Sequence, residues 1–390
     1  MSAMLTAEDL STEDYRAGLR SWLIERQSAL APYRSTHAAT HAELVTLGRQ
    51  LARELWDADW KRWGWPRDAG GLGGGPLHRA VLYDELGGQG LLLPETDYVA
   101  EVLGDATIRF APEIARKLLA DFVSGREIWA QGFSEPEAGS DLASLRTRAV
   151  RDGDDYVVSG QKIWTSNGYL ADRLFTLVRT GTPDSRHRGI SALLIDTDIP
   201  GVTIRPLTYA SGLDEMAECF FDDVRVPADR LIGAENAGWG VAMFLLQFER
   251  GMYAWMRHVW LRGRIRELAA QVKATDTASA EALGRAYQTV CALRARSAAT
   301  VRRLAAGEMV GPEASADKVL LATAEQTTLD TARQLLFPAF ETDPAAEGWR
   351  SDWWYTRAAS VYGGSGEVQR TILADRVLHL PAEDGRERKG

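Results

Sequence analysis

The sequence predicts a mainly α-helical protein with a small antiparallel β-domain in the middle of the chain. Three observations predict it. Apolar residues recur at helical spacing over residues 1–130. The period shortens to alternation over 131–236, where glycines punctuate short runs. Helical spacing then returns over 237–390. The zones read as an N-terminal helical domain, a central β-domain and a C-terminal helical domain.

In the first zone, Leu19, Leu23 and Ile24 mark one helical face, and Leu44, Leu47, Leu51 and Leu55 mark another. The stretch WGWPRDAGGLGGGP (63–76) breaks the helices, because glycine adopts turns closed to other residues and proline ends a helix. It does not read as a dinucleotide-binding loop, since no apolar strand precedes it and the G-x-G-x-x-G spacing is missing. In the middle zone, Tyr156–Val158, Leu174–Val178, Ile190–Ile195, Val202–Ile204 and Cys219–Val224 are strand-like runs. Gly153, Gly160, Gly181, Gly189, Gly201 and Gly212 separate them. In the last zone, Val241, Leu245 and Phe248 share a helical face. Arg285–Ala306 and Glu313–Leu336 mark two further helices, divided by Gly307 and Gly311-Pro312. No internal repeat or low-complexity tract is present.

Composition narrows the class. The chain has 390 residues, 45% hydrophobic and 25% charged, a profile that fits two or three globular domains. A net charge of −9 argues against a general nucleic-acid binder. The two cysteines, Cys219 and Cys291, lie far apart and form no metal-binding spacing. They suggest a reducing compartment, hence a cytoplasmic protein, and no metal site. The first residues, MSAMLTAEDLSTEDYR, resemble neither a secretory signal nor a transit peptide. No run of ~18 apolar residues suggests a membrane span. His37 and His41 stand four apart. With no third ligand in view they read as part of a solvated helix face rather than as metal ligands.

The residues with most chemistry lie in QGFSEPEAGSD (131–141) and GQKIWTSNG (160–168). Ser134 and Ser166 offer hydroxyls that suit the polar edge of a planar cofactor. Gly139 and Ser140 allow backbone approach to a pyrophosphate. Trp164 offers a flat face for a ring. A serine-rich turn feeding a β-domain, with Trp164 in its core, is the alternative reading.

These two segments resemble the signature of the acyl-CoA dehydrogenases. The resemblance extends to GWP…AGGLG (64–73), FFDDVRVP (220–227) and VYGGSGEVQRTILADRVLHLP (361–381), in order and over nearly the whole chain. It implies an N-terminal helical domain (1–130), a small antiparallel β-barrel-like domain (131–236) and a C-terminal four-helix bundle (237–390). It also implies FAD between the β-domain and the bundle. By position, Phe133 and Ser134 would meet the flavin edge, Gly139 and Ser140 the pyrophosphate, Trp164 the ring face and Ser166 the region near N5. Ser365 and Glu367 match the family's C-terminal FAD contacts. Serines 134 and 166 stand where the family usually has threonines, and they keep the hydroxyl.

The implied reaction is α,β-dehydrogenation of an acyl-CoA thioester to a trans-2-enoyl-CoA, with electrons passing to an electron-transfer flavoprotein. It needs a carboxylate base. Many members carry it directly after the tyrosine of the C-terminal motif, but Tyr362 is followed here by Gly363. Other branches carry it on an earlier helix. Counting from Gly238-Trp239 puts Glu249 at that position, with Arg250 and Tyr362 as the substrate-side neighbours. The Gly363 N–H would still polarise the thioester carbonyl. A surface Glu-Arg pair is the alternative for Glu249 and Arg250.

Two family segments are missing. No Arg-x-x-Phe-Gly occurs around Arg262–Tyr287, and Gln-x-x-Gly-Gly appears as Gln334-Leu335-Leu336-Phe337-Pro338. A homo-oligomer with other FAD contacts and a hetero-oligomer whose related partner completes the site both remain open. So do a flavin monooxygenase or oxidase on the same fold, and a subunit that only completes another chain's FAD site. The expected setting is fatty acid or lipid metabolism.

Overall fold

The computed structural model describes residues 10–34, 40–272 and 276–381. They fall into two compact units, Met1–Leu246 and Gln247–Gly390. His37 lies outside the described residues.

The first unit opens with helices α1 (Thr12–Glu25), α2 (His41–Asp57), α3 (Pro76–Gly88), α4 (Glu95–Phe110) and α5 (Pro112–Val123). Local chemistry sets their starts. The Ser11 hydroxyl accepts from the Asp14 N–H, and Thr40 with Glu43 forms a capping box. Pro76 and Pro112 occupy first positions, where the missing N–H costs nothing. The glycine-rich 63–76 loop closes on itself. Gly64 N–H donates to Gly73 O at 2.7 Å, and a Cβ on Gly71 would stand 2.0 Å from Trp65 O.

The sheet contains β1 (Trp129–Gly132), β2 (Arg148–Asp152), β3 (Asp155–Lys162), β4 (Arg173–Arg179), β5 (Ile190–Asp196), β6 (Val202–Thr208), β7 (Asp214–Pro227) and β8 (Leu231–Ile232). Its order is β6-β7-β3-β2-β4-β5-β8, with β1 beside β4. This corrects the expectation of an antiparallel, barrel-like domain. The sheet is open and mixed, because β1 and β2 both pair with β4 in parallel. Parallel neighbours need a long crossover, and residues 133–172 supply one between β1 and β4. β1 is four residues at the edge of a helical zone, too short to show a period.

Alternation on β4 separates two cores. Phe175 and Leu177 pack with residues of α4, α5 and β1, including Leu103, Leu119 and Trp129. Leu174 and Val178 pack on the other face with Tyr156, Val158, Cys219 and Val224. At Gly160 the β3–β7 register shifts, and a Cβ there would stand 2.7 Å from Thr147 Cα.

Helix α6 (Gly238–Gln271) begins in the first unit, where Val241, Ala242 and Leu245 join the core. Its later residues, from Gln247, belong to the second unit with α7 (Thr277–Ala305), α8 (Ser315–Leu335), α9 (Ala339–Thr342), α10 (Glu347–Arg357) and α11 (Gly366–Ile372). Periodicity marked α7 only from Arg285. Asp276 starts it earlier by accepting from Ser279 N–H at 2.9 Å. α8 packs against α7, α10 and α11. Ala254, Leu261, Val290, Leu293, Leu321 and Trp349 share its core. No helix among the described residues is long and apolar enough to cross a membrane.

Candidate active site

The two signature segments of the first unit lie side by side. Ile163 N–H donates to Ser134 O at 3.0 Å, which sets 133–134 beside 163–166. A buried ion pair clamps the same place. Lys162 Nζ lies 2.7 Å from Glu135 Oε1 and donates to Phe133 O at 3.1 Å. Glu135 also accepts from the N–H groups of Arg146 and Thr147. Burial pushes the Glu135 carboxyl up, but Lys162 and these hydrogen bonds outweigh it and hold it below its ordinary value. Burial brings the Lys162 ammonium down to about 8, against the pull of Glu135.

Phe133 is buried and Ser134 half-buried. Gly139 and Ser140 are exposed just beyond a tight turn closed by Glu135 and Ala138. The Ser166 hydroxyl donates to the Met216 sulfur at 3.3 Å. Trp164 is the most informative residue here. It is 59% exposed and has φ +59, in the left-handed region that a tryptophan rarely adopts. It is not the core aromatic of the alternative reading. Nearby, His41 overturns the solvated-face reading. It is 5% exposed, with Nε2 2.6 Å from Asn167 Oδ1, so it fastens α2 to the end of the second segment. Among the described residues no cluster of metal-ligating side chains occurs.

In the second unit, Glu249 and Gly363 come together. A Cβ built on Gly363 would lie 2.5 Å from Glu249 Oε1 and 3.1 Å from Lys318 Cε. The carboxylate therefore occupies the space that a side chain at 363 would need. Gly363 has φ +62, which also favours glycine. Arg250 is half-buried, and its Nε is enclosed without a hydrogen-bond partner among the described residues. Burial lowers its pKa, and Glu249 opposes that.

A polar network surrounds this point. Lys318 Nζ donates to Ala359 O and lies 4.0 Å from the Tyr362 ring centroid. The Tyr253 hydroxyl meets those of Tyr355 and Tyr362, each at 3.2 Å. Tyr362 donates to Glu325, whose other oxygen lies 2.5 Å from Arg257 Nε. Burial raises the Tyr253 hydroxyl to about 12. Lys318, Glu325, Arg257 and Tyr253 escape the sequence reading. The signal available for the first three is charge on helices α6 and α8. Ser365 caps α11 by accepting from Val368 N–H at 3.3 Å, and Glu367 is exposed in the first turn.

Comparison with known proteins decides the family. The profile for Acyl-CoA dehydrogenase, middle domain, matches residues 130–224, and that for Acyl-CoA dehydrogenase, C-terminal domain, matches 236–378. Acyl-CoA dehydrogenase IpdE1 of Mycobacterium tuberculosis is 36% identical over 95% of this chain and 98% of its own length. The chain belongs to the acyl-CoA dehydrogenase family. Among solved structures, the Tcur3481-Tcur3483 steroid ACAD superposes with a TM-score of 0.81 at 26% identity, covering 98% of this chain and all of that one. The ChsE4-ChsE5 complex of Mycobacterium tuberculosis gives 0.75 at 28% identity, with the same coverage of each chain. As an acyl-CoA dehydrogenase, the protein is a flavin-dependent oxidoreductase of lipid metabolism.

Proposed function

We propose that this chain catalyses α,β-dehydrogenation of an acyl-CoA thioester to a trans-2-enoyl-CoA, with Glu249 as the base. The observation that carries this reading is the convergence of Glu249 Oε1 on Gly363. The family places its base either after the tyrosine or on the earlier helix. Here the helix carboxylate fills the space next to the vacant position.

The first unit fits FAD. An exposed Trp164 held at positive φ offers a flat face, and the half-buried hydroxyls of Ser134 and Ser166 lie on neighbouring segments. Phe133, Ser134, Trp164 and Ser166 would hold the ring, and Gly139 and Ser140 the pyrophosphate. Ser365 and Glu367 are the corresponding candidates in the second unit. FAD supplies, when bound, an acceptor for the hydride that leaves Cβ. Glu249 takes the α-proton of the thioester. The Gly363 N–H donates to the thioester oxygen as negative charge gathers there. The buried Arg250 Nε is a donor suited to a substrate oxygen. Tyr362 forms the wall behind Gly363, its hydroxyl engaged by Glu325 and Tyr253. An electron-transfer flavoprotein is the expected oxidant for turnover.

Likeness to the steroid enzyme makes ring-bearing acyl-CoAs the first substrates to test. The decisive experiment is anaerobic mixing of acyl-CoA with the yellow enzyme. Glu249→Gln should keep its FAD colour while bleaching slows by roughly a hundredfold or more. Bleaching at the wild-type rate removes Glu249 as the base. An oxidase or monooxygenase would instead reoxidise rapidly in air after bleaching.

A further inference from the structure

The buried lysine of α8 belongs to this site rather than to the general packing of the second unit. Lys318 is 5% exposed. Its ammonium has three protons to donate, and among the described residues it gives one to the carbonyl of Ala359. The Tyr362 ring face, 4.0 Å away at its centroid, is the second stabilising group. A carbonyl and a ring do not offset the cost of burying a full charge, so carboxylates must contribute. Two act on it, Glu325 and Glu249. Glu325 is already engaged by Arg257 and the Tyr362 hydroxyl. Glu249 and Lys318 both crowd the point where Gly363 would carry a Cβ, the Glu249 Oε1 2.5 Å and the lysine Cε 3.1 Å from it.

We propose that Lys318 is a positioning residue whose buried positive charge keeps Glu249 ionised and seated against Gly363, ready to accept a proton. This rests on the reading of Glu249 as the base. A cation beside a carboxylate favours the charged form, so it lowers the carboxylate's proton affinity and keeps the base competent at lower pH. Other groups surround the same point. Arg250, Tyr253 and Arg257 come from α6, Glu325 from α8, Tyr355 from α10, and Tyr362 from the turn before α11. Arg257 is committed to Glu325 at 2.5 Å, and Arg250 adjoins Glu249 on the same helix. Lys318 is the cation that reaches Gly363 from the facing helix. Burial brings its ammonium down to about 8, with Glu325 and Glu249 opposing, so it carries its charge at neutral pH and sheds it in mildly alkaline solution.

The test follows the carboxyl carbon of Glu249 by NMR in the full-length, FAD-loaded chain grown with glutamate labelled at that carbon. The resonance is identified by its loss in Glu249→Gln. In Lys318→Met its titration midpoint should rise by about one pH unit, a tenfold gain in proton affinity. In Lys318→Arg, which keeps the charge, it should stay at the wild-type value. The acid limb of the anaerobic bleaching rate should move with it. If the methionine variant does not fold, the wild type decides. Its Glu249 resonance should show a second inflection near pH 8 as Lys318 loses its proton. An unmoved midpoint in Lys318→Met, or no second inflection in the wild type, overturns the pairing. The two readings fail separately. Bleaching by Glu249→Gln at the wild-type rate sinks the base assignment, whereas a Glu249 titration indifferent to Lys318 sinks only this inference.

Discussion

Gly363 shows how one residue type can encode the location of another. Its φ of +62 costs a side-chain-bearing residue about 1–2 kcal/mol, and its Cβ position is already filled by Glu249 Oε1. A Cβ at 363 would require the Glu249 carboxylate, the end of a flexible side chain, to move aside. Gly363→Ala should therefore displace the Glu249 carboxylate while leaving the N–H of residue 363 in place. A displacement of about an ångström at a reacting group can cost a hundredfold in rate. We expect anaerobic flavin bleaching to slow by roughly that factor, with FAD content unchanged. A Gly363→Ala enzyme that bleaches at full speed would show that the carboxylate does not act from this position.

At the scale of elements, the two segments proposed to meet the flavin are held together by a clamp between β3 and the chain just after β1. Lys162, at the end of β3, reaches Glu135 and Phe133 O from a fully buried position. The pair fixes the backbone on either side of Ser134, the proposed flavin contact. Removing one partner of a buried pair leaves the other uncompensated, at a cost of roughly 3–5 kcal/mol. Glu135→Gln should lower stability to urea by that order and weaken FAD retention. The sign of its pH dependence follows from the depressed carboxyl. Its contribution is present above the ordinary carboxylate range and is lost as pH falls through the lowered folded value. The stability gap between wild type and Glu135→Gln should thus be full at neutral pH and narrow below pH ~4. A gap that stays constant down to acid would mean that Glu135 is not the ionised partner.

At the scale of the molecule, the proposed FAD site leaves its adenosine end to be completed. Where the family has glycines after Gln334, this chain has Phe337 and Pro338, both exposed at the end of α8, Phe337 by 71%. The ChsE4-ChsE5 structure is a complex of two differently named chains. A related partner and a homo-oligomer with other FAD contacts are the two ways to complete this end, and the first makes a checkable prediction. Expressed alone, this chain should elute in size-exclusion chromatography with FAD well below one per chain, and a cognate partner should restore it. Full FAD occupancy in a homo-oligomer would refute this. The scattered tryptophans occupy different environments. Trp255 is buried against His258, while Trp354 is 44% exposed.

The sequence by itself determined the order of helical, sheet and helical zones, the family and the absence of a glutamate after Tyr362, and it singled out the two signature segments proposed to meet the flavin. Those are local properties, carried by period, by glycine placement and by contiguous motifs. It could not show that the sheet is open and mixed, because β1 is too short to declare itself and parallel pairing depends on a distant strand. It misread His41, whose partner Asn167 lies far along the chain. It named Glu249 by counting along a helix, yet only the tertiary structure brings its carboxylate to Gly363 and sets Lys318, Tyr362 and Glu325 around it. The physical reason is that a charge acts through space. α6, α8 and the turn before α11 are remote in sequence, and packing alone decides which of their charges share one buried point.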